Sequence, residues 1–75
     1  MNLTEKIKTL CDERGTTIFA VENATGLSNG SIVKWKSCTP SFRGVKSVAE
    51  FFRITIDELM KDVDLPEKKE ASNDG

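Results

Sequence analysis

Between Thr17 and Lys36 the chain reads TIFAVENATGLSNGSIVKWK, and no other stretch restricts the possible folds as much. The segment TGLS joins a helix stop to a helix start. Upstream of it, Thr17 carries a hydroxyl that accepts from the free backbone N–H groups of a first turn, so a short helix is predicted over Ile18–Thr25. Gly26 closes that helix, because glycine enters the left-handed conformation of a helix C-terminus without a side-chain penalty. Leu27 plugs the corner. Ser28 reads as the cap of the next helix, about residues 28–36, with Ile32 and Trp35 on its buried side at i, i+3 spacing. The opposite side holds Asn29, Gly30, Ser31, Val33, Lys34 and Lys36. That side is small, polar and positive, and it lacks a carboxylate.

The flanking sequence supplies partners for these two helices. Asn2-Leu-Thr-Glu5 fits a capping box, in which two side chains each bond the other residue's backbone N–H. It opens a first helix over Leu3–Arg14, with Leu3, Ile7, Leu10 and Cys11 on the inner stripe and Gly15 after its end. In the helix over Ile18–Thr25, Val21 and Ala24 are expected to face inward, and Phe19 reads as core or staple. Glu22 keeps two open readings: exposure to solvent, or pairing with Lys36 across the helix interface. After the loop SCTP, whose proline disfavours helix in the preceding residue, Ser41 caps a helix over Phe42–Phe52. Val45, Val48, Ala49 and Phe52 face in at 3, 4 and 7 spacing. Gly44 lies inside this helix and weakens it by roughly 1 kcal/mol relative to alanine. Ile54 inserts from the connection. Thr55-Ile-Asp-Glu58 is read as a second capping box, opening a short helix that ends near Lys61 with Ile56 and Leu59 buried. The expectation is an all-α, compact five-helix domain over residues 1–61, with Leu10, Val21, Leu27, Ile32, Trp35, Val48, Phe52, Ile54 and Leu59 in one core. Residues 62–75, polar and acidic, read as a disordered tail.

Length and composition narrow the function. Seventy-five residues make one small domain, and no stretch is apolar enough to span a bilayer. The start, MNLTEKIKTLCDERG, is charged throughout and gives no secretory leader, so the expected compartment is the cytoplasm. Cys11 and Cys38 have no CxxC spacing and the chain has no histidine, while a zinc site needs about four ligands. No metal is therefore expected, and Cys11 reads as a small packing residue. The overall charge of −1 hides an uneven distribution. After Lys61 five acids stand against two lysines, net −3, which leaves +2 for residues 1–61. Between Glu22 and Glu50 there is no acid at all, and Lys34, Lys36, Arg43 and Lys46 give +4. An acid-free basic window over the second helix of the corner and the segment after it is the footprint of a nucleic-acid binder. With no histidine, no tyrosine and no paired acids in an apolar setting, there is no catalytic constellation. No enzyme activity, cofactor or small-molecule ligand is expected.

The Gly-Leu-Ser turn, the Gly-Ser-Ile run and the tryptophan flanked by lysines resemble the helix-turn-helix of the Cro/repressor family of phage and bacterial transcription regulators. The resemblance continues through PSFRGVKSVAEFFRITIDELM and covers about residues 3–61. It implies a lambda-repressor-like fold and binding to double-stranded DNA, with residues 28–36 as the recognition helix in the major groove. It also sets departures in relief, among them Glu22 at a position of the second helix that is usually small in the family. Many members bury an arginine of the first helix against a glutamate at the end of the recognition helix, and here those positions hold Cys11 and Lys36. Both partners differ together, so no buried charge is orphaned, and Lys36 is left to face phosphate. Where many members carry a phosphate-bonding glutamine, this chain has Ile18, whose backbone N–H at a helix start remains able to bind an anion.

On this reading the expected DNA contacts are Thr17, Ile18, Ser28, Asn29, Gly30, Ser31, Val33, Lys34, Lys36, Ser37, Thr39 and Arg43. Asn29 suits an adenine edge, Gly30 allows close approach, Val33 suits a thymine methyl, and Lys34 suits guanine or phosphate. Ser37, Thr39 and Arg43 fall where the family holds the sugar-phosphate backbone. A single small domain binds weakly; the resemblance implies the family's answer, a homodimer on a palindromic operator. The shortness of the chain points to Phe51 and Met60 as its interface. The competing class is a protein-interaction module, such as an antitoxin or docking domain, built on the same fold.

Overall fold

The computed structural model describes residues 1–64. Among them are five helices: α1 (Leu3–Arg14), α2 (Ile18–Thr25), α3 (Ser31–Lys34), α4 (Phe42–Phe52) and α5 (Ile56–Met60). α2 lies against α4, α1 touches α2, α3 and α5, and α4 meets α5. The expected all-α architecture is therefore present, and four of the five helices have the expected boundaries at their N-termini.

Those starts are set by side-chain caps that satisfy backbone donors the helices leave open. Asn2 Oδ1 accepts from the Glu5 N–H at 2.8 Å and Glu5 Oε1 accepts from the Asn2 N–H at 3.3 Å, completing the capping box of α1. Thr17 Oγ1 accepts from the Ala20 N–H at 3.1 Å, Ser41 Oγ from the Gly44 N–H at 3.1 Å, and Thr55 Oγ1 from the Glu58 N–H at 3.0 Å. At the other ends, Gly15 (φ 70°) and Gly26 (φ 80°) take the left-handed conformation that stops α1 and α2. Arg53 closes α4 in the same conformation (φ 60°), an uncommon one for a residue with a Cβ.

One core joins all five helices. Leu3, Ile7, Cys11, Val21, Ile32, Trp35, Val45, Val48, Ala49, Phe52 and Leu59 are buried. Leu10, Leu27 and Ile54, expected inside it, are only partly buried at its margin, as are Ile56 and Met60. Two inward assignments in α2 are overturned. Ala24 is exposed and Phe19 is 59% exposed. The inner stripe of α2 runs through Ile18, Val21, Glu22 and Thr25, at i, i+3, i+4 and i+7, which turns residues 19 and 24 outward.

Side chains tie distant elements together. Thr4 Oγ1 of α1 donates to the Ile32 carbonyl of α3, and Lys6 Nζ donates to the Lys61 carbonyl at 3.2 Å. The Arg14 guanidinium stands 5.7 Å from the centre of the Phe52 ring, a cation–π distance. The Cys11 thiol is raised above its usual range by burial first and by Asp12 second, which keeps it protonated as a packing group. Residues 62–64, placed in the tail by the sequence, are held to the domain: Val63 packs at the core margin, and the Asp64 N–H donates to the Met1 carbonyl at 2.8 Å. The rest of the expected tail, 65–75, lies outside the described residues.

Candidate nucleic-acid interface

The corner predicted at TGLS is present, but the second helix is shorter than expected. Instead of 28–36, regular helix covers only Ser31–Lys34. At its start Gly30 has φ 87°, a left-handed conformation that a helix cannot run through, so Ser28 and Asn29 belong to a turn in which the Ser28 carbonyl accepts from the Ser31 N–H at 3.1 Å. At its end the chain tightens: the N–H groups of Trp35, Lys36 and Ser37 each donate to the carbonyl three residues back. Ser28 is exposed and does not cap α3.

The cap comes from Glu22. Its side chain is 3% exposed, on the inner stripe of α2. The Gly30 N–H donates to Oε1 at 3.2 Å and Oε2 at 3.1 Å, and the Ile32 N–H donates to Oε2 at 3.1 Å. Both open readings of Glu22 are thereby replaced: it is neither solvated nor paired with Lys36. A buried carboxylate is costly unless hydrogen-bonded, and two otherwise unpaired amides of a helix start are donors suited to it. The sequence contained the signal, since Glu22 stands four residues after Ile18 on the apolar stripe.

Behind α3, Ile32 is fully buried and Trp35 is 7% exposed. In front, Ser28, Asn29, Val33, Lys34, Lys36, Ser37, Thr39 and Arg43 are exposed, while Gly30 and Ser31 are half-buried. Because Glu22 is buried, α2 exposes no carboxylate beside the basic window. Lys34, Lys36, Arg43 and Lys46 form no ion pair among the described residues, where the N-terminal ammonium and Asp64, 3.5 Å apart, are the pair present. Thr17 and Ile18 stand at the far end of α2, about 12 Å from the corner for a helix of its length. The Thr17 hydroxyl is engaged as a cap, and Ile18 is half-buried beside a cleft of about 240 Å³ that Lys8, Cys11, Asp12 and Thr16 also line. Phe42, next to Arg43, is 70% exposed.

The profile of the Cro/C1-type HTH DNA-binding domain matches residues 6–64. The chain belongs to this family. The matched span contains α2 to α5 whole and α1 from Lys6, so it includes the corner, the Glu22 cap and residues 62–64. Cro/C1-type domains are DNA-binding domains of regulators, not enzymes. No curated protein and no solved structure matches the chain. Among the described residues no helix is long and apolar enough to cross a membrane.

Proposed function

We propose that this Cro/C1-type domain is a transcriptional repressor of the Cro kind that reads a palindromic operator as a homodimer, with residues 28–36 in the major groove. The observation that supports it best is the contrast across α3: Ile32 and Trp35 are buried, and Asn29, Val33, Lys34 and Lys36 are exposed in a window free of acids. Asn29, Gly30 and Ser31 then meet base edges first, Val33 a thymine methyl, and Lys34 a base or phosphate. Lys36, Ser37, Thr39 and Arg43 hold the backbone on one side, and Thr17 and the Ile18 amide hold it at the start of α2. With the α3 amides of Gly30 and Ile32 occupied by Glu22, anion binding falls to α2 and to the basic side chains.

Selection of bound duplexes from a random pool tests this reading and yields the operator. On the selected duplex Asn29→Ala should cost about 1–3 kcal/mol and change little on a scrambled one. Lys36→Ala and Arg43→Ala should weaken both duplexes alike, each lowering the salt slope by about one unit. Lys34→Ala follows whichever class its contact belongs to. Parallel loss for Asn29→Ala removes it as a base reader, and silence of all four favours the protein-interaction module. Phe51 is exposed, its ring edge-on to Phe52 at 5.0 Å, whereas Met60 is half-buried against the core. Phe51→Ala should weaken binding to a two-half-site duplex and spare a single half-site; equal loss on both would remove Phe51 from the dimer contact.

A further inference from the structure

Asn29 is held from both sides by backbone bonds that do not involve its own side chain. On one side the Ser28 carbonyl accepts from the Ser31 N–H. On the other, the Gly30 N–H is bound by both carboxylate oxygens of Glu22, which also take the Ile32 N–H. α3 has no side-chain cap from its own segment. The left-handed Gly30 has no protein atom near where a Cβ would be, so within the domain its glycine serves the conformation. The geometry of the turn that presents Asn29 is therefore set by a side chain eight residues earlier, on another helix.

We propose that Glu22 is a positioning residue for DNA recognition: its buried carboxylate orients the Ser28–Gly30 turn and thereby sets sequence discrimination through Asn29. This rests on the DNA-binding reading above. The chemistry of the group fits the role. A carboxylate is acceptor only: Oε2 takes both the Gly30 and the Ile32 N–H, and Oε1 takes a second branch from Gly30. A glutamine of nearly the same shape has one acceptor and, with its oxygen at the Oε2 position, turns an NH₂ toward the Gly30 N–H at the Oε1 position. In Glu22→Gln the core volume is kept and one hold on the turn is lost. A turn so loosened keeps the charges that attract any duplex but no longer fixes the direction of the Asn29 amide.

The test compares wild type and Glu22→Gln on two probes: a duplex the wild type selects from a random pool, and a scrambled duplex of the same composition. The expected result is at least a tenfold loss on the selected duplex, a change within twofold on the scrambled one, and an unaltered salt slope. Amide exchange at Gly30 and Ile32 should accelerate while that of the buried core residues does not. The double variant with Asn29→Ala should lose no more than Asn29→Ala alone, since both act through one contact. If Glu22→Gln does not fold, the same bond is removed from the donor side by placing glycolic acid at position 30, an amide-to-ester change within reach of synthesis for a 75-residue chain. Retained discrimination in these variants overturns the proposal, as does equal loss on both duplexes or additivity with Asn29→Ala. A wild type that enriches no sequence overturns the DNA-binding reading itself, a result distinct from variants that discriminate as well as the wild type.

Discussion

Trp35→Ala is expected to destabilise the domain by about 3–5 kcal/mol, the range for emptying a buried aromatic site. Total stability at roughly 0.05–0.15 kcal/mol per residue is only about 4–11 kcal/mol for a chain of this size, so the variant should lose a large share of it, and all of it at the low end of that range. The cause is the position of the ring. Trp35 ends α3, and its Cζ2 and Cη2 atoms lie directly over Gly44 of α4. It thus joins the segment that faces DNA to the helix that carries much of the core. Because Trp35 is the chain's single tryptophan, the comparison is made by far-ultraviolet circular dichroism in urea and not by fluorescence. Trp35→Phe should recover part of the loss. A cost below about 1 kcal/mol for the alanine variant would mean that the site collapses readily and that the ring does not hold α3 to α4.

Gly44→Ala is expected to destabilise by up to about 2 kcal/mol, against the sign that helix propensity alone assigns. In an open helix the change gains about 1 kcal/mol. Here a Cβ at residue 44 would lie 2.9 Å from Trp35 Cζ2, 3.2 Å from Trp35 Cη2 and 3.2 Å from Ser41 Oγ. The indole is rigid and buried, so the overlap forces it or α4 to move, an overpacking cost of about 1–3 kcal/mol. The two sites should therefore couple strongly. In a Trp35→Phe background the obstructing part of the indole is gone, and Gly44→Ala should become neutral or stabilising. The measurement is urea unfolding of the four proteins of this cycle. Additive effects would show that Gly44 is tolerated for some reason other than contact with the ring.

Most of the helical framework was legible before any coordinates. Asn2 with Glu5, Thr17, Ser41 and Thr55 each announce a helix start, and each does cap one. Gly15 and Gly26 announce stops and adopt φ 70° and φ 80°. These are interactions within four or five residues, so their energies are decided by neighbours in sequence. The basic window was legible for a similar reason: charge along 23–49 is a property of the residues themselves, whatever their arrangement. The stripe of α2 was misread at Ala24 and Phe19 because eight residues offer few turns over which to average a period of 3.6.

Ser28 and Gly44 were not legible, and of Glu22 only its place on the apolar stripe of α2 was, not the amides it binds. Ser28 carries the chemistry of a cap, yet α3 begins three residues later, because the carboxylate of Glu22 binds the Gly30 and Ile32 amides and Gly30 turns left-handed. Gly44 looks like a weakness in α4 until the Trp35 ring is placed on it. Local rules compare a residue only with alternatives in its own helix. Where α2 stands relative to α3, and α3 relative to α4, depends on how Val21, Ile32, Trp35 and Val48 fill one core. Contacts across those gaps of a few ångströms exist only once the helices have packed, and they decide whether a buried carboxylate is satisfied and whether a missing Cβ is a loss or a requirement.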